Sequence, residues 1–276
     1  EFASLWASLG VEVTIVEAAP RLVPTEDEWS SKQLTRAFRK RGITIRTAAM
    51  LSAARVTEAG VTVDLGDSES LNADILLVAV GRGPRTSGLG LEEAGIRLDR
   101  GFVEVDDALQ TTVAGVYAVG DIVPGPQLAH RGFANGIFVA EQLAGLDCVP
   151  VADSGIPRVT YSHPEVASIG LTEAEAVERH GDVTTAIYDL GGNGKSRILQ
   201  TSGGVKLVRA GSDGPVVGIH LVGDRVGELI GEAQLIYNWE ATADDVANLV
   251  HAHPTQAEAL GEAHLALAGK PLHAHA

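Results

Sequence analysis

The chain has 276 residues, 45% of them hydrophobic, enough for two buried cores. Lys and Arg number 21 against 36 Asp and Glu, and the resulting formal charge of −15 repels phosphate backbones and excludes nucleic acid as a natural partner. A lone cysteine, Cys148, rules out an internal disulfide, a Cys-x-x-Cys pair or a thiolate zinc cluster within these residues, and no apolar run reaches membrane-spanning length; a reducing, cytoplasmic setting is the expectation.

Residues 1–9 read as the middle of a helix, with no cap before them and Gly10 as the stop, so the chain is expected to be a piece of a longer one. Residues 11–17 are a β-branched run closed by an acid, the pattern of a buried parallel strand. A helix is predicted over 28–41, stopped by Gly42, with short strands at 44–46 and 61–65. A further apolar strand over 73–80 runs into the loop Gly81-Arg82-Gly83-Pro84. This alternation predicts an α/β, Rossmann-like sheet.

A connector over 85–101 leads to strands at 103–105 and 116–119, the second closed by Gly120-Asp121. After the turn Pro124-Gly125-Pro126, a long helix is predicted over 128–143, and 145–157 reads as a domain boundary. Beyond it, strands are predicted at 159–161, 166–169, 184–188, 205–209 and 216–222, then helices at 226–239, 243–250 and 256–268. Strands first and helices later predict an α+β domain with an antiparallel sheet.

The densest chemistry lies in His251-Ala252-His253-Pro254-Thr255-Gln256-Ala257-Glu258. Pro254 disfavours helix at His253 and leaves that ring on a loop. Thr255-x-x-Glu258 reads as a capping box, which needs no catalysis. It reads equally as a dyad, in which Glu258 orients His253 and stabilises its protonated ring during proton transfer. Gly120-Asp121 is a common turn pair, or a strand end where backbone approaches a ligand and the acid accepts from sugar-like hydroxyls. Gln127, Leu128, Ala129 and His130 open a helix whose positive dipole end suits negative charge, though a plain helix start fits as well. Glu17 ends a parallel strand, where an acid binds ribose hydroxyls and favours NAD over NADP. His264, His273 and His275 read as solvent-exposed, and the spacing of His251, His253 and His264 matches no zinc pattern.

His-x-His-Pro-Thr-x-x-Glu near the C-terminal end resembles the signature of the flavin-dependent pyridine nucleotide-disulfide oxidoreductases. Tyr161-Ser162-His163-Pro164-Glu165-Val166-Ala167 resembles the opening of their dimerisation domain. The stretch 190–203 resembles its middle, in the form found in dihydrolipoyl dehydrogenases of actinobacterial type. The resemblance covers essentially the whole chain and a little over half of the family's usual length.

It implies FAD and NAD as cofactors, with His253 as acid-base catalyst and Glu258 as its partner. Asp121 would bind the ribityl chain, and the backbone from Gln127 to His130 would meet the flavin pyrimidine edge. Glu1 would lie near the nicotinamide and Glu17 on the ribose, with Leu51 and Gly81 at the adenine and nicotinamide ends. Gly83 stands where the family more often has a second Arg, and the Gly-x-Gly-x-x-Gly turn would fall before residue 1. The implied domains are 1–84, a remainder of the NAD-binding domain, 85–152, a central FAD-contacting segment, and 153–276, the dimerisation domain.

The implied activity is oxidation of dihydrolipoamide by NAD through a redox disulfide that these residues lack. The implied partners are a second copy in a homodimer, the lipoyl group of an acyltransferase component, and that component's basic subunit-binding domain. From residue 221 onward, eight acidic residues face only Arg225 and Lys270. Glutathione reductase is the alternative that Glu17 argues against, and mercuric reductase carries a C-terminal cysteine pair absent here. A non-catalytic dimerisation or docking module is the alternative outside enzymes. With the first strand of its sheet missing, the stretch up to about residue 80 is expected to be less stable than the dimerisation domain.

Overall fold

The computed structural model describes residues 1–66 and 69–273. The chain opens with α1 (Phe2–Ser8), β1 (Thr14–Val16), α2 (Glu28–Lys40) and β2 (Thr44–Arg46). β1 and β2 pair in parallel, with Thr14 beside Thr44 and Val16 beside Arg46. Asp27 starts α2 by accepting the Trp29 N–H at 2.9 Å. Gly42 follows the helix at φ +81°, a conformation that costs glycine least. An antiparallel meander of β3 (Leu51–Thr57), β4 (Gly60–Leu65) and β5 (Glu69–Ala73) comes next, its middle strand burying Val61, Val63 and Leu65 on alternate positions.

Residues 77–156 form a compact unit of their own. It holds the short hairpin of β6 (Leu98–Asp99) and β7 (Phe102–Val103) and the long helix α3 (Ala129–Leu143). Ile96, Val103, Ala118 and Val123 make its core. Arg131 is buried on α3 and satisfied, donating to Asp153 at 2.7 Å and to the Pro124 carbonyl at 2.6 Å.

The last part begins with β8 (Arg158–Thr160), β9 (Glu165–Gly170), α4 (Glu173–His180) and β10 (Val183–Asp189). It continues with α5 (Gly194–Ile198), β11 (Gly204–Ala210), β12 (Val216–Gly223), α6 (Val226–Asn238), α7 (Ala243–Ala247) and α8 (Glu258–Leu267). Its five strands form one antiparallel sheet in the order β10-β11-β12-β9-β8. Leu207, Ile219 and Leu221 point from the sheet into a core closed by Ile230, Ala233, Leu260 and Ala263 of α6 and α8.

Residues 1–76 and the chain from 157 onward pack as one unit. Val166 and Val222 of the antiparallel sheet share a cluster with Leu34 and Phe38 of α2. Beside that cluster, Lys206 of β11 is buried and donates to Asp27 at 2.7 Å and to Glu173 at 2.6 Å. The second Asp27 oxygen accepts the Glu173 N–H at 3.0 Å, so one carboxylate ties α2 to α4 and β11.

Four expectations change. Residues 74–80 form no strand, and Ile75, Val78 and Val80 are exposed; a parallel strand exists only where neighbours supply its ladder, and none of the described residues does. The predicted strand at 116–119 reduces to a single bridge between Gln110 and Tyr117. β3, α4 and α5 appear where no element was expected. His264 is fully buried rather than exposed, its Nδ1 lying 2.7 Å from the Leu260 carbonyl; His275 is outside the described residues.

Burial pushes the imidazoles of His220 and His264 down to about 4. An unfolded chain protonates both near 6.5, so between that value and about 4 it binds more protons than the folded one. Stability is therefore expected to fall as pH drops through this window, by up to about 1.4 kcal/mol per pH unit for each histidine. Urea unfolding at a series of pH values from 7 to 5 checks this, and a flat midpoint would contradict it. His264→Leu is expected to flatten the slope.

Candidate active site

The His-Pro-Thr segment is held at both ends before its chemistry begins. On the upstream side, His251 Nε2 lies 2.7 Å from Glu232 Oε1 of α6. Its ring rests on Gly261 of α8, where even a methyl group would come within 2.6 Å of Nδ1. On the downstream side, the Gln256 side chain donates to the Asp224 carbonyl at 2.8 Å.

Between these anchors, His253 Nδ1 lies 2.8 Å from Glu258 Oε1. The imidazole is 75% exposed and the carboxylate 21%, so the ring reaches solvent while its partner stays largely covered. A carboxylate on Nδ1 favours the tautomer that carries its proton there, which leaves Nε2 as a base facing outward. Burial pushes the Glu258 carboxyl up, but the Thr255 amide, the His253 hydrogen bond and charge, and the charge of His273 outweigh it and hold the group below its usual range. Glu258 is thus kept anionic where it can stabilise an imidazolium.

The capping reading is not met: α8 begins at Glu258, with Ala257 as its N-cap and no side chain capping it. Glu258 Oε2 accepts the Thr255 N–H at 2.8 Å, and Thr255 Oγ1 donates to the Ala252 carbonyl at 2.6 Å. One carboxylate oxygen holds the turn that leads into α8 and the other meets the histidine.

Sequence reasoning missed the surroundings of this pair. Glu262, one turn further along α8, is buried and accepts both the backbone N–H and ring Nδ1 of His273, at 2.9 and 2.8 Å. Tyr188 of β10 has its phenol pushed up to about 12 by burial and by the carboxylates of Glu262, Glu258 and Asp189. No local motif marks either residue.

In residues 77–156, Asp121 sits in a single helical turn, Gly120–Ile122, with its side chain exposed. Gln127 donates to the Asp121 carbonyl at 3.1 Å, which brings the acid beside the start of α3. No side chain caps that start at Leu128, and Ala129 and His130 form its exposed first turn. Gly120 and Gly132 lie against each other, a methyl on Gly132 standing 3.4 Å from Gly120 Cα, and Gly120 has φ +77°, a conformation that favours glycine. An acid and an uncapped helix start at one cradle fit a group with hydroxyls and an anionic edge.

Among the dinucleotide candidates, Glu17 follows β1, and its Oε1 accepts the Ala19 N–H at 2.8 Å. Leu51 opens β3 and is exposed. Gly81 has φ +134° and open space where a side chain would stand. Glu1 is exposed, and its Oε1 accepts the Tyr161 N–H at 2.8 Å.

Comparison with known proteins shows the family. Residues 1–136 match the profile of the pyridine nucleotide-disulphide oxidoreductases, and residues 156–264 match the dimerisation domain of the same group. The chain belongs to the pyridine nucleotide-disulphide oxidoreductase family. Its members work with FAD and NAD(H), and the second profile is the domain through which they dimerise. The chain is 40% identical over 268 residues to the dihydrolipoyl dehydrogenase of Chlorobaculum tepidum, covering 95% of this chain and 57% of that protein. It is 39% identical over 276 residues to a dihydrolipoyl dehydrogenase of Bacillus subtilis, covering 99% and 60%. It therefore spans a little under two thirds of these relatives. The crystal structure of LpdA from Mycobacterium tuberculosis superposes with a TM-score of 0.88 at 27% identity, over 97% of this chain and 59% of that one. The HOCl-induced flavoprotein disulfide reductase RclA of Escherichia coli superposes at 0.87 with 26% identity, over 95% and 61%. Among the described residues, no helix of this family member is long and apolar enough to cross a membrane.

Proposed function

We propose that the chain is the part of a dihydrolipoyl dehydrogenase that carries the remainder of the NAD-binding domain (1–84), an FAD-contacting segment (85–152) and the dimerisation domain (153–276). The observation that carries this reading is the His253–Glu258 pair, with Nδ1 held by a carboxylate and the ring open to solvent. His253 Nε2 takes the proton of a dihydrolipoyl thiol, and Glu258 stabilises the imidazolium until the proton leaves. These 276 residues hold one cysteine, so in this reading the redox disulfide lies outside them.

FAD, when bound, supplies the passage of an electron pair from the reduced disulfide to the nicotinamide. Asp121 would accept from the ribityl chain, and the backbone from Gln127 to His130 would hold the pyrimidine edge with the positive end of α3. Glu17 would accept from the NAD ribose and repel the phosphate of NADP. Leu51 and Gly81 would leave backbone open to the adenine and nicotinamide ends, with Glu1 near the nicotinamide.

In this reading the protein works in the cytoplasm as a homodimer, and each His253 serves the disulfide of the other subunit. The dihydrolipoyl group arrives on an acyltransferase component. That component's basic subunit-binding domain would meet the acidic C-terminal region.

The full-length protein with bound flavin is expected to reduce NAD with dihydrolipoamide, faster than it reduces NADP. Stopped absorbance at 340 nm measures it. Reduction of glutathione disulfide or Hg(II) without turnover of dihydrolipoamide would assign the protein to a different disulfide reductase.

A further inference from the structure

The dyad is only as well placed as the backbone of Thr255, whose N–H donates to Glu258 Oε2. The carbonyl of the same residue is also engaged. It accepts Asn193 Nδ2 at 3.0 Å, across a sequence separation of 62 residues. Asn193 is 3% exposed and stands between a turn at Leu190–Gly192 and α5.

Both ends of its amide are engaged. Oδ1 accepts both the Ser196 N–H and the Ser196 hydroxyl at 2.8 Å, and the backbone N–H donates to the Leu190 carbonyl at 3.0 Å. The Ser196 N–H can only donate and the Thr255 carbonyl can only accept, so the orientation of the amide is fixed by chemistry. The neighbouring Gly194 lies along the His253 ring, where a methyl group would stand 3.9 Å from Cε1. A second strut runs parallel to the first: Thr201 Oγ1 accepts the Asp224 N–H at 2.9 Å, and the Asp224 carbonyl accepts from Gln256 at 2.8 Å. The stretch 190–201 thus grips the His-Pro-Thr turn at two consecutive residues, at the Thr255 carbonyl directly and at the Gln256 side chain through Asp224.

We infer that Asn193 is a positioning residue for the His253–Glu258 pair, holding Glu258 in register on His253 through the Thr255 peptide. The inference rests on the dyad reading above. A capping residue alone would need only Oδ1; Asp or Ser would serve at this position. The side-chain N–H, which neither can replace with the same reach, is the part that only the dyad turn uses.

The test is therefore Asn193→Asp and Asn193→Ser in the full-length flavin-loaded protein. Both keep a group able to cap α5, and both lose the donor to Thr255. Expected for both is a fall in kcat for dihydrolipoamide oxidation of roughly ten- to a hundredfold, the scale of loss from small misplacements of catalytic groups. KM for NAD, flavin content and Tm are expected to stay close to the parent values. In carbon-13 NMR of labelled glutamate, the Glu258 carboxyl is expected to titrate at higher pH in both variants, because the Thr255 amide no longer holds it. Unchanged kcat and unchanged titration in both variants would overturn the inference. So would a kcat loss matched by lost flavin or lowered Tm, which would make Asn193 merely structural. If the parent does not turn over dihydrolipoamide but the Glu258 titration still moves, the functional reading fails while the positioning role stands.

Discussion

His253→Ala in the full-length protein is expected to lower dihydrolipoamide oxidation by about 10²–10⁴-fold, the usual contribution of a positioned acid-base group. The ring projects from a loop fixed by His251, Gln256 and Asn193, so its removal leaves no core cavity. It is three-quarters exposed, and among the described residues its side-chain bond goes to Glu258. Flavin content and Tm should therefore hold, and the loss should fall on kcat. His253→Gln, which keeps a donor for Glu258 without a titrating ring, is expected to lose nearly as much. Steady-state kinetics of the two variants at saturating NAD check this. A kcat within threefold of the parent would remove His253 from the chemistry. Glu258 is held below the ordinary carboxylate range, so its protonation should limit the rate only at pH values more acidic than that range.

Lys206→Ala is expected to destabilise the chain by about 3–5 kcal/mol, the cost of leaving a buried charge without its partner. The orphan would be Asp27, whose side chain is 2% exposed and which Lys206 meets at 2.7 Å. Burial pushes the Asp27 carboxyl up. The Lys206 bond, the Glu173 amide, the His220 charge and the Trp29 amide outweigh it and hold the group below its ordinary value. A depressed carboxylate adds stability that is present above about pH 4 and lost as pH falls through the folded value. Glu173 is half exposed and turns to water, so it adds little to the cost. The paired change Lys206→Met with Asp27→Asn removes both charges, keeps a capping group on α2, and is expected to recover at least half of the loss. Urea unfolding followed by tryptophan fluorescence measures both; a loss under about 1 kcal/mol for Lys206→Ala would show that the pair is solvated rather than buried.

The antiparallel sheet was legible because its central strands are apolar, β-branched runs, buried almost along their whole length, and are separated by turn residues such as those between Ala210 and Pro215. The dyad was legible because all its parts lie within eight residues. What failed was anything set by partners distant in sequence. Residues 74–80 look like a strand by composition, but a strand is defined by a neighbour. β3 escaped because Ser52, Ala53, Ala54 and Arg55 carry no alternation, and both of its faces are largely open. α4 did announce itself, since Thr172 and Glu175 form the same Thr-x-x-Glu signal that was read at Thr255, and here both halves of the box are made. His264 was misread because α8 looks like a tail helix, whereas it is buried around most of its circumference between sheet and neighbours. Asn193 and Thr255 show no sign of each other in the sequence, and neither do Asp27 and Lys206.

That last pair bears on how the protein is made. Asp27 and Lys206 are 179 positions apart, and Val166 and Val222 complete the cluster that α2 begins. A ribosome adding roughly 5–20 residues per second leaves α2 without its seat for about 10–35 seconds. During that interval residues 77–156, whose core is their own, have that core to hand. The middle of the nascent chain is therefore ready to fold before its beginning is complete: α2 packs early on Val13, Leu22 and Ile43 and waits for Val166 and Val222 from strands not yet translated.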